Sequence, residues 1–374
     1  MIGHRKRTSG GGGVSASSTS GGAAAAAASN ASSVGPSAAV GDDHVALAKK
    51  YFASLNTATI RDEEDRLYSE ILDIKWSPVG NRVAYSRHTK SLLVCDFSGA
   101  SMNSFSKHHI IKNCHRDAIG SLSWDPNNDV TIATVGGDNL KIWNIETQKL
   151  TMEFPIKGNT KLVSYSPRGK YLSCISKLID KESGSVTTHH LTVIDMESKD
   201  LKVVAEASFD YFIFSFVWAN DDGSIVLGFS NGEVGIFKVN EELANGLENV
   251  YTFKASVSCI NAMAFDPSGQ YLIIGSHEGI VSVWSTASLS CVKTVALVDE
   301  SVMAIDISGD GRYVAACFQG GAPTRIYELK TFTECFEVTN NKSSGYQIAN
   351  IAFRGRQATF AYTSNNGELK LCFK

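Results

Sequence analysis

Apolar and polar residues alternate along most of the chain beyond residue 44. Runs such as Leu140-Lys141-Ile142-Trp143, Val234-Gly235-Ile236-Phe237 and Ile280-Val281-Ser282-Val283-Trp284 have a period of two. That period predicts half-buried strands. Many such runs end on a bulky residue followed by a Ser/Asp-Pro turn. The full form reads Trp76-Ser77-Pro78-Val79-Gly80, Trp124-Asp125-Pro126-Asn127-Asn128, Tyr165-Ser166-Pro167-Arg168-Gly169 and Phe265-Asp266-Pro267-Ser268-Gly269. Looser copies begin at Trp218, Ile307 and Phe353, so neighbouring anchors are 48, 41, 53, 47, 42 and 46 residues apart. Further along each unit a tight turn opens another alternating strand, as in Gly137-Asp138-Asn139, Asn231-Gly232-Glu233 and Asn366-Gly367-Glu368. Asn-Gly between alternating runs is a strong hairpin signal.

Each unit therefore supplies three antiparallel strands. A less regular fourth follows, for example Ser290-Cys291-Val292-Lys293-Thr294-Val295. Four strands at a period of roughly 40–45 residues mark a β-propeller blade. A lone blade cannot bury both faces, so seven must stack in a ring. A pair of irregular β-sandwiches would not need matching turn chemistry seven times. The fold class expected is all-β, a seven-bladed propeller over residues 44–374.

The chain given ends at Lys374, directly after the third strand of unit seven. The missing outer strand is expected before unit one, in residues 48–56. Tyr51, Ala53 and Leu55 would share one face of that strand, with Phe52 on the other. Closure of this kind removes an exposed sheet edge.

Composition alters the picture at one end. Residues 1–43 are mostly Gly, Ala and Ser and hold too little apolar surface to offset the entropy of ordering, so a disordered tail is expected. Arg5, Lys6 and Arg7 form its basic cluster, a candidate nuclear-import or nucleic-acid element. Lys+Arg 35 against Asp+Glu 38 gives a net charge of −3. Such a balance argues against nucleic-acid binding over the whole surface, which needs clustered cations. No run approaches the roughly 18 apolar residues of a membrane span. The eight cysteines form no Cys-x-x-Cys pair, and most sit in strand-like runs. They read as small reduced hydrophobes, which places the chain in the cytosol or nucleus.

These units resemble WD40 repeats over about residues 44–374. In unit two, His115, Thr134, Asp138 and Trp143 stand where the family has a buried hydrogen-bond chain, so the resemblance implies a structural brace. Unit five is degraded, with Ile274 and Glu278 at two of those positions. Among WD40 proteins the chain resembles the subunit 3 family of the THO complex, the nuclear assembly that packages nascent messenger RNA for export (THO/TREX). The segments that carry this are His115-Arg116-Asp117-Ala118, Ser123-Trp124-Asp125-Pro126, Cys259-Ile260, Phe265 to Tyr271, and Gly275-Ser276 to Trp284. Departures are a polar insertion over 177–190 and Gly320-Gly321-Ala322-Pro323 in unit six. The resemblance implies a non-catalytic nuclear scaffold whose partners are large helical THO subunits, with RNA reached indirectly. The alternative is another interaction propeller, such as a histone-binding or ubiquitin-ligase substrate-receptor subunit.

Catalytic readings fail on their own terms. His115-Arg116-Asp117 echoes a kinase loop, but the accompanying Asn, Gly-rich loop and Asp-Phe-Gly are missing. His115, Thr134 and Asp138 contain the groups of a nucleophilic triad, yet in this register they brace a blade. His108-His109 and His189-His190 lack further converging ligands and read as solvated loop residues. There is no phosphate loop or dinucleotide fingerprint. No cofactor, metal, membrane or small-molecule substrate is expected. Candidate partner contacts are Phe209, Tyr211 and Phe212 between units three and four, and Lys107, Lys112 and Arg116 around units one and two. Aromatic side chains on a rim make good interface anchors, although these could instead plug the gap between blades.

Overall fold

The alternating runs become seven four-stranded antiparallel sheets. In this computed structural model the described residues are 37–61, 70–97, 107–179, 183–198, 201–296, 298–320, 322–338, 350–355, 358–364 and 367–374. Blades one to six are consecutive in sequence, over 71–111, 121–154, 159–209, 213–254, 260–296 and 302–338. Blade seven takes Ile351–Phe353, Phe360–Thr363 and Leu369–Phe373 from the end of the chain, and Asn56–Ile60 from before blade one. The chain is a seven-bladed β-propeller.

Closure occurs, but not through the residues expected. Asn56–Ile60 pairs antiparallel with Leu369–Phe373, from Asn56↔Phe373 to Ile60↔Leu369. Residues 48–53 are instead helical, within the helix Ser37–Ala53. Ala, Leu and Lys favour helix there, and Val45, Ala48 and Phe52 recur at the spacing of one helical face. All three are buried. The strand begins only where Asn-Thr-Ala-Thr-Ile supplies β-branched residues. The helix also starts inside the expected tail, at Ser37. Residues 1–36, with Arg5, Lys6 and Arg7, lie outside the described residues.

This helix seals the seam between blades six and seven. Phe52 is 1% exposed. Its ring meets Tyr313 edge-on at 4.9 Å, stacks near Phe336 at 5.7 Å and tilts against Phe360 at 6.4 Å. Burying a phenylalanine fully contributes about 1.5–3 kcal/mol.

The tryptophan anchors tie three of the blades to their predecessors. Trp124 Nε1 donates to the Lys75 carbonyl at 3.0 Å, and Trp218 Nε1 to Ser173 Oγ at 2.9 Å. Trp76 Nε1 donates to the Ala352 carbonyl at 3.0 Å, so this bond joins first blade to last. At the same seam Arg87 donates to the Gly367 carbonyl at 2.9 Å, and Arg354 donates to the Gly80 carbonyl. Blades one and two share Arg82. Its guanidinium meets Asp96 at 2.9 Å, the Asp129 carbonyl at 2.9 Å and Glu146 at 3.1 Å. The anchor turns need a left-handed residue, supplied by Gly169 (φ 78°) and Gly269 (φ 72°).

Candidate interaction surface

One end of the ring carries the outer-to-inner connections 112–120, 155–158, 210–212 and 255–259, and the turns between second and third strands. We call it the upper end. His115 and Asp138 belong to it, one from each kind of loop.

The unit-two side chains form a continuous chain. Trp143 Nε1 donates to Thr134 Oγ1 at 2.9 Å, and Thr134 Oγ1 meets His115 Nε2 at 2.7 Å. His115 Nδ1 then bonds Asp138. Asp138 also accepts from Lys141 at 3.0 Å and from the Arg116 N–H at 3.2 Å. Burial pushes the His115 imidazole below its usual range, outweighing Asp138. Burial opposes ionisation of Asp138 too, but the bonds from His115 and Lys141 keep its carboxyl low. A neutral imidazole donating from Nδ1 and accepting at Nε2 satisfies every member. The connectivity is that of a hydrolase triad. Thr134, however, is 0% exposed and already accepts from Trp143, so no substrate atom reaches its hydroxyl. Blade five rewires the degraded copy: Trp284 Nε1 donates to Ser282 Oγ at 2.9 Å, and His277 Nδ1 meets Ser301 Oγ at 2.8 Å.

The six candidate contacts do not form one patch. Phe209 faces inward, its ring 5.6 Å from Phe229 and 5.4 Å from Phe237. It fills the seam of blades three and four. Tyr211 and Phe212 are 53% and 37% exposed at the upper end. Arg116 is exposed over blade two, where it donates to the Gly137 carbonyl and sits 3.6 Å from Asp117. Lys112 is exposed just beyond the outer strand of blade one. Lys107 begins that strand, Lys107–Ile111, opposite Asp96 and so at the other end of the ring.

The histidine pairs are not solvated loops. His109, His189 and His190 are 1%, 1% and 7% exposed, within the strands Lys107–Ile111 and Val186–Asp195. The polar insertion of unit three lengthens a hairpin, Tyr171–Ile179 with Val186–Asp195, and the next blade's entry loop covers His189. Among the described residues no group of three or more His, Cys, Asp or Glu is placed to hold a metal.

Carboxylates of the central channel hold neighbouring blades together. Asp73 accepts from the Leu122 N–H at 2.9 Å, and Asp306 from the Phe353 N–H at 2.6 Å. Asp73 raises the Lys75 ammonium above its usual range, with help from Asp306. Burial raises the Asp306 carboxyl.

A feature absent from the single-strand pattern lines the upper mouth of the channel. Five inner strands carry a bulge four residues before the anchor, at Leu72, Lys161, Phe214, Asn261 and Met303. Such bulges re-aim side chains. Four of these residues, Leu72, Phe214, Asn261 and Met303, border the channel cavity of about 670 Å³.

The WD40 family model (WD domain, G-beta repeat) matches residues 106–144 and 247–285. Each match takes the outer strand of one blade and three strands of the next, the same offset by which Asn56–Ile60 closes the ring. Protein TEX1 of Saccharomyces cerevisiae is 26% identical over 264 residues, 67% of this chain and 59% of that one. THO complex subunit 3 of Arabidopsis thaliana is 22% identical over 266 residues, 71% of this chain and 77% of that one. The chain thus spans about three fifths of the yeast relative. Among solved structures, the β-propeller domain of Myceliophteria thermophila Cps50 (Swd1) superimposes with a TM-score of 0.66 at 14% identity, over 84% of this chain and 99% of that one. That likeness concerns the fold alone. The chain carries WD40 repeats and is homologous, at modest identity, to THO complex subunit 3 and TEX1.

Proposed function

We propose that this chain is a non-catalytic interaction subunit of a THO-type complex, acting in the nucleus in the packaging and export of messenger RNA. The observation that carries this is similarity to THO complex subunit 3 over 71% of the chain, on a ring whose triad-like group is engaged in bracing blade two. Large helical subunits of that complex are the proposed partners, and RNA is reached through them. The mechanism is rigid presentation. Bonds such as Trp76–Ala352 and Trp124–Lys75 lock neighbouring blades together, so loops from several blades keep one spacing for a partner docking across them.

One observation favours a second reading. An open cavity of about 750 Å³ at the upper rim of blades five and six is bordered by His277, Glu278, Asp299 and Glu300. A receptor for a basic tail, such as a histone tail, would use such a surface. The two readings separate by co-expression. Co-elution with the helical THO subunits of the same organism in gel filtration supports the first. Separate elution, with tight binding of a histone-tail peptide, replaces it.

A further inference from the structure

The upper junction of blades three and four holds an unmatched set of groups. Lys161 is the bulged inner-strand residue of blade three and is exposed. Lys177 lies at the top of the adjacent strand, opposite Asn159. Burial lowers the Lys177 ammonium, and repulsion from Lys161 lowers it further. Among the described residues neither lysine forms an ion pair, whereas nearby Lys157 holds Glu206 at 2.9 Å.

Beside them His189 is paired with Lys177 across the hairpin. Its Nδ1 lies 2.9 Å from the Ile213 N and 3.1 Å from the Ile213 carbonyl oxygen, so Ile213 matches it in either tautomer. The Nε2 of the same ring is buried and has no hydrogen-bond partner. A buried ring nitrogen left unpaired is costly. The ring of Phe212 stacks on this imidazole at 4.9 Å. Apolar side chains border the same place: Phe214 is 42% exposed at the channel mouth, Tyr211 53% on the entry loop and Ile179 48% on the long hairpin.

We propose that this junction docks a peptide segment of a partner protein, carrying a carboxylate side chain flanked by apolar residues. The carboxylate sits between Lys161 and Lys177. The apolar neighbours of that carboxylate cover Phe214 and Tyr211. A nucleic acid fits less well. A phosphate backbone needs several free cations, and among the described residues several upper-end cations are engaged: Lys141 with Asp138 at 3.0 Å, Lys90 with the Arg116 carbonyl, and Arg116 with Gly137 and Asp117. Two unmatched lysines beside exposed aromatic and aliphatic groups suit one or two carboxylates on a protein segment. The proposal goes beyond membership of any particular complex.

The test is selection from a displayed library of random twelve-residue peptides on the full chain. The expected result is enrichment of Asp or Glu next to Leu, Ile, Phe or Tyr. Selected peptides should bind the Lys161→Glu, Lys177→Glu double variant about tenfold or more weakly. They should bind the double arginine variant within about twofold of the parent, since Arg retains the charge. Both lysines lie at the surface end of their strands, so thermal melting of both variants should match the parent. Several results would overturn the proposal. They are no enrichment, enrichment without acidic residues, binding insensitive to charge reversal, or displacement of the peptides by a single-stranded RNA oligonucleotide at physiological salt.

Discussion

Trp76 and Ala352 are 276 positions apart in the chain and joined by a 3.0 Å hydrogen bond from the indole Nε1–H to the carbonyl. The bond ties the inner strand of the first blade to the inner strand of the last, which lie at opposite ends of the ring's sequence. Trp124 plays the same part toward Lys75 between blades two and one. An anchor that ends an inner strand thus also fixes the distance to the blade before it. Replacing Trp76 with Phe keeps an aromatic ring at the seam and removes this bond, while the Ala352 carbonyl still faces Ala361 in the sheet ladder. Stability should fall by about 0.5–1.5 kcal/mol. Urea unfolding checks this as a lower midpoint at unchanged slope.

The helix Ser37–Ala53 is a latch as well as a lead-in to the closing strand. Phe52→Ala should cost about 3–5 kcal/mol, the range for large-to-small changes of buried aromatics. Leu47, 64% exposed on the same helix, serves as the control. Leu47→Ala should shift the melting midpoint little. Removing residues 37–61 takes away the outer strand of blade seven and exposes the Leu369–Phe373 edge. Aggregation in light scattering is the expected outcome, and a monomer with parental melting would show that the ring closes without it.

Thr134 sits at the middle of the blade-two chain. Thr134→Val preserves shape and strands both the Trp143 indole N–H and the His115 Nε2. A loss of about 1–3 kcal/mol is expected, with Thr134→Ser recovering most of it. Equal stability of the valine variant in chemical denaturation would mean that the hydroxyl bridges nothing of consequence.

His189 makes stability depend on pH. Burial, with the charge of Lys177, pushes its pKa from 6.5 down to about 4. The unfolded chain therefore binds a proton that the folded chain refuses between these values. Stability from this group is complete above pH 6.5 and declines as the pH falls toward 4, by about 3 kcal/mol at most. Asp138 adds to the acid loss, since its folded carboxyl is held low. Unfolding free energies of the parent and of His189→Asn, measured between pH 7 and 4.5, should converge as the pH falls. Parallel curves would remove His189 from the account.

Much of the ring was legible because its signals are local. Trp76-Ser77-Pro78 and Asn231-Gly232 each specify a strand end and a turn within a few residues, and repetition adds the ring. The closing element was misread for an equally local reason. Tyr51, Ala53 and Leu55 satisfy a period of two, while Val45, Ala48 and Phe52 satisfy the helical period that prevails. The helical period prevails because blades six and seven offer Phe52 a cavity, which the segment alone does not reveal. His189 and His190 look like loop residues until Phe212 and Ile213 arrive from the next blade. Phe214 borders the channel mouth and Lys161 stands out from blade three because of bulges, which are properties of paired strands and leave no mark on one strand read alone. Phe209 and Tyr211 lie two residues apart, and only packing against Phe229 and Phe237 divides their roles.

The most direct measurement is quantitative mass spectrometry of what co-purifies with the tagged chain from its own cells at moderate salt. The expected result is recovery of the large helical THO subunits in near-equal amounts with the chain. Recovery of cullin-linked or histone-modifying assemblies, with no THO subunit present, would contradict it.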